Sequence, residues 1–336
     1  MASTVRLMVV MIAMVGLFGA QAVCDNGKGI ISPALGSAAG QHVVRVEYSS
    51  GSQLEQSIKN LNCKPDVWQA GTLEVPRLYI TDIPSRWSDK SIKELDVITK
   101  KRIFFRFLGP LILYSNELIQ TNRDRATSII GALRAGAVIS HQDQIFLCEI
   151  AEAYNVAEGK VELKDHSLQD KLLRRVDTVP PSLVLAQAAE ESGWGTSRFA
   201  VEGNALFGMW TWGGEGITPL KQRSGLGNYK IAVYETPLQS IIAYMHNLNT
   251  HQAYKKLRTR RAKLRKAGSK VTGWDLASTL TKYSERGQSY VDSLQALIKV
   301  NMLQPFDDAY LGNGPTILLI PVGDEADRMA SRLTEW

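Results

Sequence analysis

The sequence predicts a mostly α-helical protein of the α+β class. Two observations carry this. Ile103, Phe107, Leu111 and Tyr114 recur at helical spacing within a long apolar stretch. Helix start and stop signals also recur, with Ser140 three residues before Asp143 and Ser182 opening a run of good helix formers that ends at Gly193. Strand-type alternation is confined to short pieces near the two ends. The composition agrees: 44% apolar and 21% charged residues in 336 exclude a disordered chain, and three cysteines are too few for a disulfide scaffold. A net charge of +6 fits an acidic partner without naming one.

Residues 1–22 read as an export signal. Arg6 precedes an uncharged apolar run, Leu7 to Gly19, and Ala20-Gln21-Ala22 has the small residues a signal peptidase needs. The run is well short of the ~20 residues that span a bilayer. The mature protein is therefore expected to begin at Val23 and to be periplasmic or otherwise exported. An oxidising compartment permits a Cys24–Cys63 or a Cys63–Cys148 disulfide, and one thiol must stay unpaired.

Residues 23–88 follow as a small α/β-like segment. His42 to Tyr48 alternates like a strand, Ser52 to Leu61 reads as a short helix with Ser52 and Glu55 at capping-box spacing, and Leu73 to Ile80 is again strand-like, the pattern of a βαβ-like appendage. Residues 89–178 form a helical region. It holds a helix from Asp89 to Arg125 with a break or kink at Gly109-Pro110, a second from Ser140 to Tyr154, and a third piece over Leu168–Val176. Pro180-Pro181 marks the boundary to the main domain, residues 179–303, because two prolines stop one helix and open the next. In the tail, residues 304–336, the apolar run Thr316 to Val322 suits a strand or an extended clamp.

The chemistry concentrates after Ser182, the expected N-cap of a helix over Leu183 to Glu191. Glu191 falls in its last turn among Leu, Val and Ala. The negative end of the helix and an apolar wall both disfavour a carboxylate, so its pKa is expected to rise. A carboxyl protonated near neutral pH is what a general acid needs to protonate a leaving glycosidic oxygen. A helix-end glutamate is ordinarily just solvated, but here Trp194, Trp210 and Trp212 follow within nineteen positions, interleaved with Phe199 and Phe207, and six glycines lie over 193–214. Aromatic faces among tight turns suit stacking on sugar rings.

The stretch AQAAEESGWGTSRFAVEGNALFG, residues 186–208, resembles the glucosaminidase motif of glycoside hydrolase family 73. The resemblance continues through VYETPLQSIIAYMHNLNTHQAY and TKYSERGQSYVDSLQALIKVN, while VPRLYITDIP and KKRIFFRFLGPLILYSNELI resemble the bacterial Bax proteins, which are unrelated to the apoptosis regulator of that name. It implies a lysozyme-like, mostly helical domain with a small β-lobe that cleaves β-1,4 bonds after N-acetylglucosamine in peptidoglycan. Glu191 matches the catalytic acid, and Tyr283 matches an aromatic lying across the groove. Tyr290 is a second aromatic one residue further along than usual. Trp194, Asn204 and Phe207 fall on positions that shape the site, and Trp210 is a candidate sugar-stacking residue. In related enzymes a second glutamate lies in the β-lobe, but the corresponding position here falls near Thr218. Glu215 is the nearest substitute, while Glu235 suits a helix N-terminus. If neither acts, the N-acetyl group of the substrate supplies the nucleophile.

Two other readings stay open: a lytic transglycosylase, which needs one glutamate, and a non-catalytic cell-wall-binding or assembly protein on the same fold. Lys255 to Lys270 carries nine basic residues and no acidic one, a candidate contact for acidic wall polymer or membrane headgroups, or else a solvated basic helix. Export argues against nucleic acid as its partner. No metal-ligand spacing, nucleophile elbow or phosphate loop occurs, so no metal and no cofactor are expected.

Overall fold

The computed structural model describes residues 43–49, 53, 56, 57, 73–80, 97–157, 162–223, 225 and 227–321. The signal segment, Cys24, Cys63 and most of the helix expected over 52–61 lie outside the described residues. Cys148 is a half-buried free thiol.

The longest element is α1, Val97–Arg134, which runs nine residues past its expected end and passes through Gly109 and Pro110 without interruption. Pro110 costs one backbone hydrogen bond and about 3 kcal/mol. Phe104, Phe105, Phe107, Leu108, Leu111 and Ile112 are all buried around it, at about 1.5–3 kcal/mol each, so packing outweighs the local break. Gly109 is needed for contact: a Cβ there would lie 2.8 Å from Cζ of Phe306. The far end of α1 enters a second core. There Ile129 and Ile130 meet Phe146, Leu147 and Ile150 of α2 (His141–Ala153) and Leu172 of α3 (His166–Arg175). Ser140 caps α2 as expected, its hydroxyl accepting from the Asp143 amide at 3.1 Å.

Helix α4, Pro181–Ser192, lies in the main core, with every residue from Pro181 to Ala189 buried. It packs against α1, α8 (Gly273–Ala277) and α9 (Gln288–Val300). Ser182 is not its cap. Pro180 holds that place with Pro181 at the first helical position, and Ser182 instead donates from both its amide and its hydroxyl to Asp307, each at 2.8 Å. The Asp307 carboxylate, which also accepts from the Gly273 amide at 2.9 Å, caps the helix from across the fold.

After α5 (Arg198–Gly203) comes a small β-lobe. Strands β4 (Trp210–Thr211) and β5 (Gly216–Ile217) flank β6 (Lys230–Ala232), antiparallel. Helices α6 (Pro237–Thr250) and α7 (Lys255–Lys266) follow.

Strands from near the two ends of the described residues are joined. Pro76, with no amide hydrogen to donate, divides the expected 73–80 strand into β2 (Glu74–Val75) and β3 (Leu78–Ile80). The tail supplies β7 (Tyr310–Leu311), which pairs with β2, and β8 (Thr316–Pro321). β8 lies parallel between β1 (Val43–Tyr48) and β3, with Val43 opposite Thr316 and Leu78 opposite Ile317. The strands expected as a βαβ-like appendage are therefore not neighbours. Leu319, the middle of the tail strand, is fully buried in the same core as α4. The architecture is mostly helical α+β.

Candidate active site

Helix α4 ends in a turn built by its own sequence. Gly193, Trp194 and Gly195 all have positive φ (57°, 62° and 78°), a left-handed path that glycine takes at little cost. Ser192 pins it, its hydroxyl donating to Ala188 O at 2.6 Å and accepting from the Gly195 amide at 2.8 Å. The Trp194 ring packs against α1. It sits edge-on to Phe104 and Phe105 of α1, at 5.6 and 5.3 Å, with Lys101 Nζ 4.7 Å above its face. Trp194 anchors the helix end to α1.

The same turn leaves the Glu191 carboxyl half-buried. Protein surrounds most of it and lifts its pKa to about 8 through desolvation, against the opposing hydrogen bond from Tyr290. Neighbouring Glu190 adds to the rise and Arg286 reduces it. Tyr290 of α9 donates its hydroxyl to Glu191 Oε1 at 2.7 Å. The Tyr283 ring stacks on that of Tyr290 at 5.2 Å and 10°, but Tyr283 is buried behind Glu191 and does not lie open across a groove.

Two residues the sequence reading missed complete the site. Gln187, one turn before Glu191 and fully buried, donates Nε2 to the Tyr290 oxygen at 3.1 Å, and its carbonyl accepts from the Tyr244 hydroxyl. Phe207 stacks on the Tyr244 ring at 3.8 Å and 5°. Phe207 thus supports the site from behind. Asn204 caps α5 in the left-handed region and donates to Tyr234 O and Glu235 O, at 3.1 and 3.2 Å, fastening the exit of the β-lobe. Glu190 is also engaged: it pairs with Arg286 at 2.7 Å, and Arg286 donates on to Ser293 at 2.6 Å.

In the β-lobe, Trp210 stacks on buried Tyr229 at 4.2 Å, and Trp212, 56% exposed, meets the Trp210 edge at 5.9 Å. The aromatic that faces solvent is therefore Trp212. Glu215 stands exposed in the turn between β4 and β5, outside the hydrogen-bonded group around Glu191. Glu235 occupies the N-terminus of α6, where its carboxylate and amide both bond the Gln239 side chain.

The basic run divides. Arg258 and Arg261 turn inward. Arg261 donates to the carbonyls of Arg174, Asp177 and Thr178 and to Asn249 Oδ1, and pairs with Asp177 at 3.2 Å. Arg265 also pairs with Asp177, at 2.7 Å. These residues fasten α7 to the loop before α4, and the expected headgroup contact finds no support in them. Lys255, Lys256, Lys263 and Lys266 remain exposed.

Residues 169–303 match the family model described as mannosyl-glycoprotein endo-beta-N-acetylglucosaminidase, which defines a glucosaminidase-domain protein. Protein bax of Escherichia coli (strain K12) is 34% identical over 206 residues, covering 60% of this chain and 70% of that protein. The chain belongs to the Bax family. Among solved structures, the catalytic domain of the autolysin Auto from Listeria monocytogenes is similar at 22% identity and a TM-score of 0.31, over 56% of this chain and 96% of that one.

Proposed function

We propose that this protein is an exported peptidoglycan hydrolase that cleaves the β-1,4 bond after N-acetylglucosamine, with Glu191 as general acid. One observation carries the reading: in a glucosaminidase-family chain, a half-buried carboxyl with its pKa lifted to about 8 is held at one oxygen by Tyr290. Such a group is protonated at neutral pH and gives its proton to the glycosidic oxygen, while the Tyr290 hydroxyl steadies the carboxylate left behind. Glu215 on the β-lobe or the N-acetyl group of the substrate supplies the second function. Purified mature protein, beginning near Val23, should release fragments with N-acetylglucosamine at the reducing end from sacculi, read by mass spectrometry. No release would refute the reading.

A lytic transglycosylase is the second reading. It is favoured by the engagement of Glu190 with Arg286 and of Glu235 in a helix cap, which takes two other carboxylates out of play. Its products end in 1,6-anhydro muramic acid, so the same spectra separate the two.

A further inference from the structure

Hydrogen bonds around Glu191 run in one direction. The Tyr244 hydroxyl donates to Gln187 Oε1, Gln187 Nε2 donates to the Tyr290 oxygen, and the Tyr290 hydroxyl donates to Glu191 Oε1. Gln187, Tyr244 and Tyr290 are at most 1% exposed, so water does not substitute for any partner. A hydroxyl has one hydrogen. Because Gln187 presents an N–H to Tyr290, that hydrogen has Glu191 as its acceptor. An amide turned the other way would present its carbonyl and compete for it. Tyr244 prevents the turn by filling the carbonyl side, and Tyr244 is itself held by the Phe207 stack and by a side-chain hydrogen bond with Tyr283.

We infer that Gln187 is a positioning residue: through Tyr290 it reserves Glu191 Oε1 as an acceptor, so that the transferable proton resides on Oε2. The inference rests on the reading of Glu191 as the general acid. In the forward step the Oε2–H bond breaks as the proton passes to the glycosidic oxygen. Glu191 is then a carboxylate whose Oε1 already has its donor in place, so no hydroxyl has to reorient as charge develops.

Gln187→Met keeps side-chain length and removes both amide bonds. Hydrolysis of solubilised glycan chains should lose up to about tenfold in kcat, the worth of one neutral hydrogen bond, with KM retained. The alkaline limb of the kcat profile should move to higher pH, because a Tyr290 oxygen that no longer accepts from Gln187 is a weaker and less firmly oriented donor to the charged carboxyl. A lower kcat with an unmoved limb is mere loss of packing and overturns the inference, as does an unchanged kcat. Should Gln187→Met fail to fold, Tyr244→Phe removes the hydroxyl that anchors the amide and carries the same expectation at smaller size. The carboxyl carbon-13 titration of Glu191, assigned by its disappearance in Glu191→Gln, reads the shift without turnover. It should move upward in the variant, and an unmoved midpoint overturns the role of Gln187. A wild-type protein that cleaves nothing would sink the glycosidase reading instead, while the titration still decides Gln187.

Discussion

Glu191 shows how a short stretch of sequence sets a chemical property. Its place in the last turn of a helix followed by Ser-Gly-Trp-Gly was legible, because the cap and the left-handed turn are local. Burial lifts its pKa from 4.5 to about 8, so the native state holds a proton that the unfolded chain releases between those values. Stability therefore falls as pH rises through that window, and Glu191→Gln escapes the loss. Glu191→Gln should melt above the wild type at pH 8 and show no such advantage at pH 4. Equal differences at both pH values would mean the carboxyl is not desolvated in the native state. Gln187 and Tyr244 were illegible for the opposite reason. Their contacts join positions 57 and 103 residues apart in the chain, and no local pattern reports them.

At the level of elements, helix α7 looked like a cationic surface and is partly core. Its orientation was readable, since Leu257, Arg261 and Leu264 lie at i, i+4 and i+7 and share one face. Charge alone obscured it. Arg261→Ala should cost about 3–5 kcal/mol in denaturant unfolding, as it leaves buried carbonyls and part of Asp177 without a donor. Lys263→Ala, on the exposed side, should stay within about 0.5 kcal/mol. An Arg261→Ala protein as stable as the wild type would contradict the buried node. If the outward lysines hold acidic wall polymer, Lys263→Glu with Lys266→Glu should weaken sedimentation with sacculi at low salt and leave it unchanged at high salt. Pro110 teaches a related lesson: the local rule predicted a break, and burial on both sides of the proline overrode it.

At the scale of the whole molecule, the tail matters most. Its apolar run was visible as strand material, but its partners lie some 240 to 270 positions away, and parallel pairing leaves no turn signal between strands. Removing residues 314–336 takes out the middle strand and with it the buried Ile317 and Leu319, which should lower Tm by about 10 °C or more or leave the chain insoluble. A shortened chain melting with the wild type would show that the glucosaminidase region stands alone. That region's central claim is chemical, and the digestion of purified sacculi by wild type and Glu191→Gln side by side tests it most directly. The account predicts that the variant still sediments with sacculi but releases fragments at least about 100-fold more slowly. Near-normal release by Glu191→Gln would contradict it.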